Sequence, residues 1–352
     1  MKKLSVLLIV LVLCVFRLSA QEEEENGLQI SGSVDTYWKY DFSGYKNDDG
    51  ISNIGTSFAD EQNSISIGMI DIALSQTVGK ASFVGEFSFG PRSFKSIPLF
   101  QPDGDADDVN VGIQNLYASY AFSDVFSLTA GYMGTFVGYE VISPAANFNY
   151  STSYLFTSGP FQNSGIKADF TISDRFAFMV GLFNDWNVYQ DFNGISDFGA
   201  QLYFMPVDGW DIYLNFITGN PSGTEIDLTT GWQITDAFYL GLNAADYTAT
   251  DDAGGFSGAA IYPQYSFSDA FELGIRYEYF KTKEIQEGDV TTLSSENINA
   301  ITLTANLHAG PLTVIPEFRI DGGSSDFFFS DSAGNDPTKS ASQFLIAAVY
   351  AF

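Results

Sequence analysis

The chain has 352 residues, with 43 Asp and Glu against 15 Lys and Arg and a formal net charge of −28. That balance excludes nucleic acid as a partner, because neutralising phosphates takes a basic surface. Aromatic residues at 16% and 33 glycines, set among long alternating runs, argue against acidic disorder. No segment beyond the N-terminal leader holds 18 consecutive apolar residues, which excludes a helical membrane protein.

The N-terminus reads as a secretory signal peptide over residues 1–20. Lys2 and Lys3 form its basic region, Leu4 to Phe16 its apolar region, and Ala20 ends the cleavage site. The apolar stretch is shorter than the roughly 20 residues of a spanning helix. Bulky Leu13 ahead of Cys14 argues against lipidation, and cleavage leaves a chain without cysteine, hence without disulfides or a thiol nucleophile. Residues 21–27 are an acidic flexible leader, and 28–352 are expected to form a single domain.

From Leu28 the pattern alternates with period 2. Leu28, Ile30, Val34, Trp38, Tyr40 and Phe42 share one face, while Gln29, Ser31, Ser33, Asp35, Tyr37, Lys39 and Asp41 share the other. The same reading predicts sixteen strands, at 28–42, 64–78, 81–90, 110–122, 125–137, 163–172, 176–187, 197–205, 209–217, 225–234, 237–248, 258–267, 270–283, 297–308, 311–321 and 342–352. Two are irregular. Ile65, Ile67 and Met69 change parity to Ile70, Ile72 and Leu74, which suggests a bulge near Met69 or a locally apolar interior. Residues 110–122 carry apolar side chains on both parities and give no orientation. Residues 125–137 put Phe126, Leu128, Ala130, Tyr132 and Phe136 on one face.

The connections alternate short and long. Four short ones repeat a phrase: Phe122-Ser123-Asp124-Val125-Phe126, Ile172-Ser173-Asp174-Arg175-Phe176, Ile234-Thr235-Asp236-Ala237-Phe238 and Phe267-Ser268-Asp269-Ala270-Phe271. Short polar side chains make tight turns by bonding nearby amides. The flanking Phe and Ile recur at one height, as in the aromatic girdle of a membrane barrel. Val78-Gly79-Lys80, Pro206-Val207-Asp208 and Ala309-Gly310 are also short. Residues 43–63, 91–109, 138–162, 188–196, 218–224, 249–257, 284–296 and 322–341 are the long connections. The glycine pairs Gly254-Gly255 and Gly322-Gly323 read as loop turns.

An even count, short turns at one end and long loops at the other describe an all-β, transmembrane, antiparallel up-and-down barrel of about 16 strands. A soluble barrel filled by side chains stops near eight strands. Short turns and both termini would face the periplasm and the acidic loops the exterior, in the cell outer membrane. The terminal Phe352 resembles the C-terminal signature by which such chains enter the barrel assembly machinery.

The opening strand Gly32-Ser33-Val34-Asp35-Thr36-Tyr37-Trp38-Lys39-Tyr40-Asp41-Phe42 resembles the start of the β-barrel porin-2 (OmpL-like) family. So do Gly138-Tyr139-Glu140-Val141-Ile142, Asn147-Phe148-Asn149-Tyr150-Ser151, and Gly159-Pro160-Phe161 with Gly165. The resemblance spans most of the chain beyond the leader and implies an outer-membrane porin-like channel.

No phosphate loop, metal-binding histidine cluster or nucleotide motif occurs, and neither catalysis nor a cofactor is expected. His308, the single histidine, lacks the partner motif a catalytic base needs. Asp103, Asp105 and Asp107 have calcium-loop spacing, but Asp108 stands where the loop glycine belongs and Gln114 where a bidentate Glu would close it. An EF-hand is rejected; a solvated acidic loop, or loose divalent-ion binding and bridging to lipopolysaccharide, remain.

The inward face is expected to line a pore with Lys39, Glu86, Lys167, Asp169, Asp211, Asp227, Glu272, Arg276, Glu278, Glu317, Arg319 and Asp321. Arg276 between Glu272 and Glu278, and Arg319 between Glu317 and Asp321, form ladders that either set up a transverse field or pair off and stiffen the wall. Excess carboxylate predicts a weak cation preference. Residues 138–162 are apolar and aromatic, unlike the acidic loops around them. They are expected to fold inward, with Glu140, Asn147, Asn149 and Tyr150 at a constriction, or else to pack on neighbouring loops or another protomer. The expected function is passive diffusion of small hydrophilic solutes; the rival is a structural or surface-interaction barrel with an occluded lumen. Expected partners are outer-membrane lipid, lipopolysaccharide and the solutes, with assembly into a homo-oligomer left open.

Overall fold

The computed structural model describes residues 27–96, 111–287 and 290–352. The signal peptide, most of the acidic leader and the Asp103–Asp108 loop lie outside the described residues. Sixteen strands form one closed barrel: β1 (Gln29–Asp41), β2 (Ser64–Val78), β3 (Ala81–Phe89), β4 (Gly112–Ala121), β5 (Phe126–Gly134), β6 (Gln162–Ser173), β7 (Phe176–Phe183), β8 (Asp197–Phe204), β9 (Trp210–Gly219), β10 (Gly223–Gln233), β11 (Phe238–Thr248), β12 (Gly255–Ser268), β13 (Phe271–Thr282), β14 (Asn297–Ala309), β15 (Leu312–Gly323) and β16 (Ser340–Ala351).

Each strand pairs antiparallel with its chain neighbour, and β1 closes on β16 from Ser33↔Ala351 to Asp41↔Gln343. Gly32 and Phe352 exchange two backbone hydrogen bonds of 3.0 Å, so the terminal residue finishes the seam. Closure leaves no open strand edge, the condition for a sheet to sit in hydrocarbon.

Alternation explains which face each side chain takes. Outward lie Ile65, Leu116, Leu182, Leu202, Leu214, Ile226, Ile261, Ile301 and Ile346, all exposed. Their inward neighbours are mostly polar and buried, such as Asp71, Asn215, Asp227, Asn243, Thr302 and Thr304. This is inside-out relative to a soluble barrel, as lipid outside and a polar interior require.

The repeated turns form as read, each closing a hairpin between neighbouring strands. In the first and third, the Ser123 and Thr235 hydroxyls accept from the amides of Phe126 and Phe238 at 3.2 and 3.0 Å. Ser173 and Ser268 accept from Arg175 and Ala270 at 3.3 Å. Above these turns Phe122 stacks on Phe126 and Phe267 on Phe271, at 5.3 and 5.2 Å. At the long-loop end Trp38, Tyr40, Phe42, Phe318 and Phe344 make a second aromatic set.

Two bulges account for the irregular strands. Val34 pairs Ile70 and Thr36 pairs Ile67, so Asp35 faces both Gly68 and Met69 and the parity of β2 changes there. The Asp35 carboxylate occupies the space a Cβ on Gly68 would need, and it accepts from the Met69 amide at 2.9 Å. On β4, Glu86 pairs Asn115 and Phe87 pairs Ile113, leaving Gln114 as the extra residue. Gln114 and Ser119, of opposite parity, are therefore both buried, which is why pattern alone gave no orientation.

Several boundaries differ from the sequence reading. The connection expected over 218–224 shrinks to 220–222, because β9 and β10 pair out to Gly219↔Gly223. Gly255 opens β12 and Gly322-Gly323 end β15, paired with Asn299 and Ile298, so these glycines belong to strands rather than loops. Phe136, expected on the outward face of a longer β5, turns inward after the strand ends at Gly134 and packs 5.7 Å from Phe183.

Candidate functional site: the barrel interior and segment 138–162

Between β5 and β6 the chain runs through the interior of the barrel. A short helix α1, Pro91–Ser96, lies between β3 and β4, and the segment carries its own short helix α2 at Tyr154–Ser158. Ser153 caps α2 by accepting from the Phe156 amide at 3.0 Å. The segment is too short on hydrogen bonds of its own to satisfy its backbone, and the wall supplies the partners.

Glu317 of β15 accepts from the Tyr150 and Ser151 amides at 3.0 and 3.3 Å. Glu278 of β13 accepts from the Tyr154 and Leu155 amides at 2.9 and 2.8 Å. Arg276 donates to the Ser151 carbonyl at 2.6 Å and pairs with Glu140 at 2.7 Å. Arg319 donates to the Thr152 carbonyl at 2.8 Å and pairs with Asp321 at 2.8 Å. Arg276 and Arg319 are fully buried. Buried charges demand this degree of partnering. The two ladders thus meet the segment and hold it.

Aromatic rings add shape. Tyr139 stacks on Tyr262 at 4.3 Å and its hydroxyl lies 3.2 Å from that of Tyr239. The ring sits over Gly241, where a Cβ would come within 2.2 Å of the Tyr139 hydroxyl. The Phe148 ring likewise sits over Gly274, at 2.3 Å from a Cβ there. Inward glycines are seats for the segment's rings. Gly274→Val is expected to cost the seated segment about 1–3 kcal/mol through overpacking. The readout is faster proteolytic nicking within 143–158 of the folded barrel; an unchanged rate would show that the ring has room to move.

Tyr150 is fully buried, bonded through its hydroxyl to Asp35, with the Arg92 guanidinium 4.6 Å from its ring. Arg92 also lies 4.5 Å from Phe58 and donates to the Ile142 and Tyr150 carbonyls, both at 3.2 Å. Burial holds the Tyr139, Tyr150 and Tyr154 hydroxyls well above the ordinary phenol range, so they act as neutral donors.

Asn149 donates to Thr304 at 2.6 Å, whereas Asn147 bonds back to Val141 within the segment and leaves the wall alone. Glu86 takes a 2.5 Å bond from Asn115, and Lys167 pairs with Asp169 at 3.1 Å. Asp211 accepts from the Tyr203 hydroxyl at 2.7 Å, and Glu272 from Ser266 at 2.7 Å, with the His308 ring 3.4 Å away. Asp227 accepts from Asn215 at 2.6 Å, from Asn243, and from the Gly138 amide at 3.0 Å. Lys39 is buried with no hydrogen-bond partner on Nζ, and Asp60 and Asp41 are its main electrostatic neighbours.

Sequence reading left out Asp35, Asp71, Arg92, Asp197 and Glu225, all buried. Asp35 and Glu225 share the parity of residues that were chosen and could have been found by completing the alternation. Asp71 was hidden by the parity change at Gly68–Met69, and nothing local marks Arg92.

Charge is distributed unevenly around the interior. Among the described residues four basic and thirteen acidic side chains are buried. Lys39, Arg276 and Arg319 cluster on β1, β13 and β15, while β8 to β10 carry Asp197, Asp211, Glu225 and Asp227.

Comparison with known proteins gives the same architecture. A comparison with curated proteins found no match. OmpT of Vibrio cholerae, in its trimer form, is similar at 14% identity over 93% of this chain and 99% of that one, TM-score 0.55. The outer membrane channel DcaP of Acinetobacter baumannii is similar at 11% identity over 95% and 100%, TM-score 0.58. OmpF of Salmonella typhi, in complex with daunomycin, is similar at 13% identity over 93% and 98%, TM-score 0.58. At these identities the likeness is one of fold. The family described as "Putative beta-barrel porin-2, OmpL-like" matches residues 27–352, and the chain belongs to that family of porin-like outer-membrane barrels.

Proposed function

We propose that this protein is a passive diffusion channel for small hydrophilic solutes, weakly cation-preferring and without catalysis, narrowed at mid-height by segment 138–162. The observation that carries this reading is the clamping of that segment across the interior by Arg276, Glu278, Glu317 and Arg319. A wall built only to be stable would not spend buried charge on holding a strap across its own lumen. Glu140, Asn149 and Tyr150 stand at the constriction in this reading, while Asn147 keeps the segment's shape. The other inward charges of the wall line the path on either side.

The excess of buried carboxylate supports the cation preference, since a mouth and wall of one sign concentrate counter-ions. Replacing Asp211 and Glu272 with Asn and Gln is expected to move the reversal potential in a KCl gradient toward zero without lowering conductance. A reversal potential that stays put would remove these two carboxylates from the path.

The short turns face the periplasm and the acidic loops the exterior, with the girdles at the two lipid boundaries. Signal-peptide cleavage, delivery through the Phe352 strand, contact with lipid and lipopolysaccharide, and assembly as a homo-oligomer complete the proposal. The trimer form recorded for OmpT of Vibrio cholerae supports the last. A second reading, a structural barrel with an occluded lumen, is favoured by the complete burial of Arg276, Arg319, Lys39 and Tyr150. Planar-bilayer recording separates the two: stable ohmic steps belong to the channel, silence to the occluded barrel.

A further inference from the structure

Between the short turns and segment 138–162 the interior wall changes character. At mid-height the inward side chains of β9 to β12 are buried, among them Asn215, Asp227, Asn243 and Tyr262. Nearer the short turns, inward Tyr203, Asp211, Tyr213 and Tyr239 of β8, β9 and β11 are half-exposed. On this side of the segment the interior is an open vestibule. Three of those four side chains are tyrosines, and strand register brings them together. Tyr203 and Tyr213 are direct partners across β8 and β9, with ring centroids 5.0 Å apart and planes 37° from one another. Tyr239 reaches back across β10 because Gly231 leaves room: a Cβ there would come within 2.1 Å of the Tyr239 hydroxyl. Gly231 pairs with Asp211 on β9, so Tyr239 is drawn toward the same spot.

The polar groups of this set are only partly engaged. Asp211 accepts the Tyr203 hydroxyl at 2.7 Å through one of its two oxygens. Tyr239 accepts from Tyr139 at 3.2 Å and keeps its own proton to donate. The Tyr213 hydroxyl has no hydrogen-bond partner, and Asp211 is the one acid among its electrostatic neighbours. Beyond Tyr239 the row of rings runs on through Tyr139, stacked at 4.3 Å on Tyr262, and so reaches the segment.

We propose that Tyr203, Tyr213 and Tyr239, with Asp211, form a platform in the vestibule that binds neutral saccharides beside the constriction. A sugar ring carries a face of C–H groups bordered by hydroxyls. Neighbouring phenol rings offer that face an apolar surface, while Asp211 and the phenol hydroxyls bond the border and fix its orientation. A cationic amine fits less well. Tyr203 and Tyr213 lie against each other as one surface, whereas recognition of an ammonium group sets rings around it. A single carboxylate, already accepting from Tyr203, is all the charge the set supplies. The platform names a solute class for the proposed channel and rests on that reading for passage, yet its binding is measurable with no current flowing.

The test is saturation-transfer NMR on the mature chain refolded in detergent, with maltotriose, cellotriose and raffinose as probes in turn and choline as the cationic comparison. The parent is expected to transfer saturation to at least one trisaccharide, most strongly at its ring C–H protons. Tyr213→Leu removes one ring of the platform and is expected to weaken that binding about three- to tenfold. Tyr265→Leu, on the outward face of β12, leaves it unchanged. Should Tyr213→Leu fail to fold, Asp211→Asn keeps the shape of the wall and is expected to weaken binding at least about threefold, since a hydrogen bond to a carboxylate is the stronger kind. No transfer to any of the three sugars would overturn the platform, as would folded variants whose titrations superimpose on the parent's. Choline held more tightly than the sugars, and lost in the same variants, would overturn the assignment to saccharides. Failure of the channel reading would show instead as absent conductance with saccharide binding retained.

Discussion

Deleting residues 143–158 is expected to raise single-channel conductance severalfold in planar bilayers. Barrels of 16 to 18 strands enclose an aqueous channel when nothing fills them, and here segment 138–162 fills the interior together with Thr56, Ser57 and Phe58 of the β1–β2 connection and Arg92 of α1. The deletion removes Asn149, Tyr150, Ser151, Thr152 and Tyr154, the residues bonded to the wall at Thr304, Glu317, Arg276, Arg319 and Glu278. The sheet itself loses no ladder hydrogen bond, since β5 ends at Gly134 and β6 begins at Gln162. The folded barrel should therefore persist, with heat-modifiable migration on gels as its check. Conductance equal to the parent's would mean that the path lies elsewhere or that other loops take the segment's place.

The second large effect is at Arg276. Replacing it with Ala leaves Glu140 buried at 7% exposure without its partner, and removing one side of a buried pair costs about 3–5 kcal/mol. That energy holds the segment, so the loss is expected first as unseating of 138–162: higher, noisier conductance and a lower denaturant midpoint. Glu140→Gln added to Arg276→Ala should recover part of the midpoint, because the orphaned charge is gone. If the double variant is as unstable as the single one, Arg276 acts mainly through its bonds to the Ser151 and Thr152 carbonyls rather than through the ion pair.

The barrel was legible because its physics is repetitive. Alternation such as Phe271, Leu273, Ile275 against Glu272, Arg276, Glu278 states both the strand and its facing, and the Ser-Asp and Thr-Asp turns mark the hairpin ends. What alternation could not carry was anything that breaks period 2. Gly68–Met69 and Gln114 each insert one residue, and each hid the facing of what followed, Asp71 in one case and the whole of β4 in the other. Phe136 was misplaced because an alternating pattern does not announce where a strand leaves the wall.

Composition marked the segment as one that folds inward or packs on neighbouring loops or another protomer: Val141, Ile142, Phe148, Tyr150, Tyr154 and Phe156 are too apolar for an exposed acidic surface. Its partners were not, since they are set by long-range geometry. Arg276 meets Glu140 across 136 positions of sequence, and the ladders, read as either setting up a transverse field or pairing off within the wall, turn out to reach into the segment. The glycine seats are legible only afterwards: Gly241 and Gly274 break otherwise bulky strands, and only the structure shows which ring fills each gap.

The central question is whether ions cross this barrel through a path that segment 138–162 narrows. The most direct measurement is planar-bilayer recording of the intact mature chain, refolded and asymmetrically bathed in KCl. A narrowed, cation-preferring channel gives stable ohmic steps of small amplitude with a reversal potential of the sign set by cation preference. Silence from protein shown to be folded and inserted, or steps with anion preference, would contradict it.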